Sequence, residues 1–190
     1  MAPSGGIIGV SDHGGWAVLV AVAGDGTFLD RRRVELVDAD LPKIPHHSEG
    51  QALPIGAAVA LVGRVRASAE RHAKLALDAV AQAVPRRLRG VALRHCPALP
   101  PTVAERITDY RAQNVADWVM YRRALAAAAE ARGWSVYWYE AGKVRAAAAA
   151  ALPTVDLDSH FRQLRQTLGP PWGEDHRTAM AAAIAAALGP

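Results

Sequence analysis

The first 37 residues constrain the fold more than any other part of the chain. They hold three short apolar runs separated by tight polar turns, and the next sustained pattern is a helix-period stripe over residues 55–84. Gly6-Ile-Ile-Gly-Val10 is followed by the turn Ser11-Asp-His-Gly-Gly15, and Trp16–Ala23 by Gly24-Asp-Gly26. Thr27–Val37 then resumes with strand-forming residues around Arg31, Arg32 and Arg33. This predicts a three-stranded antiparallel meander whose third strand lies at an edge, where exposed charge discourages further pairing.

The stripe Val62, Val65, Ala69, Ala76, Val80 marks one face of a long helix that Pro85 ends. Gly90–Cys96 is a strand candidate closed by Pro97, and Thr102 with Glu105 forms a capping box for a helical segment expected to break near Asn114 and stop at Gly133. Trp134–Glu140 alternates as a strand, and its cluster Trp134, Tyr137, Trp138, Tyr139 reads as buried. Helices are expected over Gly142–Leu152 and Leu157–Leu168, and from Glu174 onward with the stripe Met180, Ile184, Leu188. Residues 38–54, with three prolines and His46-His-Ser-Glu-Gly50, are expected to be a loop or irregular helix entry, with His46–Gly50 less ordered than its neighbours. The order βββαβαβ, then helices, implies an α/β fold in one domain over residues 1–190. Its five-stranded mixed sheet would have strand one central and helices on both faces.

Composition bounds the class of protein. With 51% hydrophobic and 21% charged residues the chain can bury a core, and it has no apolar run long enough for a membrane span. The N-terminus has no secretory pattern, and Cys96 is the single cysteine, so a cytoplasmic location is expected and an internal disulfide is excluded. The net charge of +4 permits contact with phosphate without demanding it. All but three of the 22 basic residues are arginine and alanine is abundant, a joint bias that looks more like genomic base composition than a binding surface. Phosphate-loop, dinucleotide-binding, nucleophile-elbow and Cys-x-x-Cys strings are absent.

In order and placement of elements, over roughly residues 6–96 and 115–188, the chain resembles the ribonuclease H-like superfamily, which includes Holliday-junction resolvases of the RuvC kind. The resemblance implies an Asp on the first strand, where Gly9-Val-Ser-Asp-His-Gly-Gly-Trp16 supplies Asp12. It implies a Glu near the entry to the first long helix, met by Glu49, and an acid at the start of the last helix, met by Asp175 with Glu174 beside it. A further carboxylate is implied at the end of strand four, where Arg94-His95-Cys96 offers none. The activity implied by the resemblance is that of a metal-dependent nuclease or resolvase, with Asp12, Glu49, Asp175 and Glu174 as ligands of Mg²⁺ or Mn²⁺ and Lys143 and Arg145 holding the nucleic-acid backbone. In-line attack on a phosphodiester needs two divalent ions about 4 Å apart, held by converging carboxylates.

Each of these residues also has a plain structural reading. Asp12 suits a turn, Glu49 a solvated loop, and Asp175 or Glu174 a helix cap. His46 and His47 near Glu49 suit either a metal or a solvated loop, Asp156 or Asp158 a helix entry, and Cys96 an inert buried thiol. Lys143 and Arg145 suit a solvated helix start. Two other functions therefore compete with a nuclease, whether intact or degenerate. One is a non-catalytic binding or scaffold protein that kept the fold, favoured by the missing strand-four acid. The other is a nucleotide-phosphate binder of the actin and sugar-kinase type, disfavoured by the lack of a second lobe.

Overall fold

The computed structural model of the protein describes residues 5–189. Five strands form one sheet: β1 (Gly6–His13), β2 (Trp16–Val22), β3 (Phe28–Glu35), β4 (Leu88–Arg94) and β5 (Ser135–Tyr139), in the order β3-β2-β1-β4-β5. β1 pairs antiparallel with β2, and β2 with β3; β1 pairs parallel with β4, and β4 with β5. The expected meander, the central β1 and the edge position of β3 are all present. The tight β1–β2 turn is possible because Gly15 adopts a φ of +80°, which a side chain would strain.

Helices α1 (Ile55–Ala83), α2 (Val103–Thr108) and α3 (Tyr110–Glu130) lie on one side of the sheet. The other side carries α4 (Val144–Ala151), α5 (Leu157–Leu168) and α6 (Glu174–Leu188). Strand alternation divides β1 between the two layers. Ile8 and Val10 join the α1/α3 core, whereas Ile7 joins the α6 core. Gly9 shares the face of Ile7, and a Cβ added there would sit 1.8 Å from the carbonyl oxygen of Ala179. The missing side chain is therefore what lets α6, with its run of small alanines, approach β1 so closely.

The structure differs from the expectations at three places. The helical break falls at Asp109, not near Asn114: Asp109 ends α2 and its carboxylate accepts from the amides of Arg111 and Ala112, each at 2.8 Å, so one residue both stops a helix and caps the next. β5 is an edge strand, and Trp138 is 39% exposed rather than buried. Residues 38–54 are tied down at several points, including a 3₁₀ turn over Glu49–Ala52. The Gln51 side chain donates to the carbonyls of His46 at 2.6 Å and Ile107 at 2.9 Å, and His46 is buried instead of solvated. No helix among the described residues is long and apolar enough to cross a membrane.

Candidate functional site

β1, β4 and β5 run in one direction, so their C-terminal ends gather at one end of the sheet, joined by the start of β2, the end of β3 and the first turn of α6. That end is where side chains from distant segments meet, and its two faces differ in chemistry.

On the α6 face, Asp175 is the centre. Its Oδ1 accepts from the Ser11 hydroxyl at 2.8 Å and lies 2.7 Å from Nε2 of His13. Burial alone would raise the Asp175 carboxyl, but the bonds from His13 and Ser11 outweigh it and hold the group below the usual carboxylate range. The Tyr139 hydroxyl donates to the carbonyl of Val10 at 2.7 Å. Burial pushes that phenol far above its ordinary value, and the Asp12 and Asp175 charges push it further. Arg94 follows Ala92, a member of the α6-side core, by two residues and so projects to this same face, exposed, at the end of β4. The His13 ring stacks on Trp16 with centroids 4.0 Å apart, and the guanidinium of Arg33 lies 4.4 Å from the indole centroid.

Asp12 belongs to the opposite face. Its Oδ2 accepts from Nε of Arg122 on α3 at 2.8 Å, and Nη1 of Arg122 donates to the carbonyl of His95 at 3.2 Å. Both side chains are closed to solvent, 1% exposed for Asp12 and 6% for Arg122. Burial pushes the Asp12 carboxyl up, and the guanidinium offsets only part of that. Glu49 opens the 3₁₀ turn with its side chain exposed, on the side of the sheet where its charge reaches Tyr121.

The expected ligands are therefore not assembled. Asp12 and Asp175 share one end of β1 but leave it on opposite faces, and Glu49 stands apart from Asp175. Among the described residues no three His, Cys, Asp or Glu side chains converge as a metal site. Glu174 is held by Arg145 at 3.3 Å and by Arg177 at 2.5 Å. Arg145 also pairs with Asp158 at 2.5 Å, and Lys143 with Glu140 at 2.8 Å. Cys96 is a buried thiol with its pKa raised by burial. Sequence reasoning does not single out Ser11, His13, Arg94, Tyr139 or Arg122. The signal for the first four is strand parity, which puts Ser11 and His13 with Ile7 and Gly9 and leaves Asp12 with Ile8 and Val10.

No protein-family model matches the sequence, and no curated protein matches it. Among solved structures, the chain is similar to RuvC of Thermus thermophilus in complex with a Holliday junction substrate. Identity is 17%, the match covers 97% of this chain and 93% of that one, and the TM-score is 0.53. A second Thermus thermophilus RuvC structure gives 18% identity over 96% and 93% of the two chains, with a TM-score of 0.49. The first match establishes the ribonuclease H-like fold for this chain.

Proposed function

We propose that the protein binds nucleic acid at this end of the sheet without cleaving it. The observation that carries the reading is the set of side chains at this end of the sheet: β1 presents Ser11 to Asp175 and β4 ends in the exposed Arg94, so one carboxylate stands where a two-ion reaction needs several. Mg²⁺ or Mn²⁺ is the group the fold implies, and the donor set does not fit it. One oxygen of Asp175 is already shared by a hydroxyl and an imidazole, and Asp12 is locked to Arg122 on the other face.

The same side chains suit an anionic polymer. Arg94 offers a fork of donors to a phosphate, and Lys143, 75% exposed after β5, is a second contact to the backbone once it leaves its solvent-exposed pairing with Glu140. Arg145 adds no third contact, because Asp158 and Glu174 hold its guanidinium. The assembled His13, Trp16 and Arg33 form a stacking platform of the kind on which unpaired bases rest. The likeness to a junction-bound structure makes branched DNA the first substrate to try.

The test is fluorescence anisotropy on single-stranded, duplex and four-way-junction DNA, with a cleavage assay in Mg²⁺ and in Mn²⁺ on the same substrates. Binding without cleavage is expected. Arg94→Glu should weaken binding by about tenfold or more and lower the slope of log affinity against log salt by about one phosphate contact. Metal-dependent cleavage abolished by Asp175→Asn would overturn the reading in favour of a nuclease.

A further inference from the structure

On the face of the sheet opposite α6, helices α1, α2 and α3 line an open cleft of about 400 Å³, within the range that holds small organic ligands. Val62 and Met120 give it an apolar floor, and the exposed side chains of Arg66, Glu70, Arg123 and Glu130 form its rim. His46 is the one lining side chain that is both polar and fully buried.

His46 is held in a single orientation. Nδ1 lies 2.7 Å from Oδ1 of Asp117, whose side chain is itself wholly buried, and the same oxygen accepts from the backbone amide of His46 at 3.1 Å. Oδ2 of Asp117 accepts from the amide of His47 at 3.2 Å, and the His46 carbonyl accepts from Gln51. With Nδ1 donating to the carboxylate, the neutral ring presents Nε2 as an acceptor on its far side. Nε2 is buried, closed to water, and has no partner among the described residues, so it is the polar atom that His46 can offer a ligand once the side chains covering it part. A buried acceptor without a donor is costly, and a ligand O–H or N–H removes the cost.

We propose that this cleft binds a small organic acid with an apolar body, a hydroxyl or N–H donor at one end and a carboxylate at the other. The donor meets Nε2 of His46, the body lies on Val62 and Met120, and the carboxylate meets Arg66 and Arg123. Arg66 is only loosely engaged, its Nε standing 4.0 Å from Glu70, and Arg123 rests over the Trp138 ring with its charge unpaired among the described residues. Glu70 and Glu130 stand on the same rim, and the half-buried Arg106 lines the cleft with its guanidinium bonded to the carbonyls of Pro100 and Pro101.

The probe is 4-hydroxybenzoate, compared with benzoate, which lacks the donor, and phenol, which lacks the carboxylate. Calorimetry on the full chain should give saturable 1:1 binding of 4-hydroxybenzoate, with each truncated compound weaker by about tenfold, the usual effect of leaving one buried polar group or charge unmet. Arg123→Gln and Arg66→Gln lie on the exposed rim and should leave folding unchanged. Each should weaken 4-hydroxybenzoate while leaving phenol unaffected. In ¹⁵N NMR of the wild-type chain the His46 Nε2 resonance should move on adding 4-hydroxybenzoate and not on adding benzoate. Absence of saturable binding, equal binding of benzoate and 4-hydroxybenzoate, or indifference to both rim substitutions would overturn the proposal.

Discussion

Asp12 and Arg122 decide whether the end of β1 is a site or a strut. The sequence marks Asp12 through the turn that follows it, and it hides the partner, because Arg122 lies 110 residues away on a helix with no strong amphipathic pattern. A buried ion pair stabilises little by itself, yet removing one member strands the other charge. Arg122→Met should therefore cost about 3–5 kcal/mol in urea unfolding at neutral pH, and the double variant Asp12→Leu with Arg122→Met should recover most of it. The pH dependence has a definite sign. Burial already raises the Asp12 carboxyl in the folded chain, and loss of Arg122 raises it further. A raised group contributes stability below its unfolded pKa and loses it as pH rises through the folded one, so the Arg122→Met penalty should shrink as pH falls from neutral. A penalty that stays constant from pH 7 to pH 4 would show that Asp12 is not the stranded charge.

At the scale of elements, the extents of α1, α5 and α6 and the capping box at Thr102 were legible, because apolar period, prolines and cap residues act locally. The contacts that bind one element to another were not. Gly9 reads as a small residue in a strand, and only the packed α6 shows why nothing larger fits. Gly9→Ala would drive a methyl into the backbone of Ala179, so β1 and α6 must part, and a loss of about 3 kcal/mol or more is expected from overpacking against backbone that cannot rotate away. Likewise the segment after β3 reads only as an irregular loop in the sequence, whereas Asp38 fastens it to α1. His72 bonds its carboxylate at 2.9 Å, Arg71 adds an ion pair, and the Asp38 amide donates to the Ser68 hydroxyl at 2.9 Å. These partners, His72 first and Ser68 next, lower the Asp38 carboxyl from 3.8 to about 2. A lowered group contributes stability above its unfolded pKa and loses it as pH falls through the folded one. Stability of the wild-type chain should thus fall between about pH 4 and pH 2 with a component that Asp38→Asn removes, read as a shallower acid limb in thermal melts.

For the whole molecule, strand order followed from the sequence because a meander feeding βα units permits few arrangements, whereas the site did not, because one residue of parity moves a carboxylate through the sheet. That parity also predicts how the molecule unfolds. Ile7 and Ile8 are neighbours in β1, and each is fully buried in a different core. The central strand cannot lose one layer and keep the pleat that the other requires, so the two cores should melt together. Leu77→Ala on α1 and Met180→Ala on α6, both fully buried, should each cost about 2–5 kcal/mol, lowering the urea midpoint with the slope unchanged. Far-ultraviolet circular dichroism should trace the same curve as tryptophan fluorescence, which draws on Trp134 beside the α1/α3 core and Trp172 in the α6 core. If Met180→Ala instead separated the two signals, with α6 released while the meander and α1 stayed folded, the sheet would be a platform for two independent layers rather than the wall that couples them.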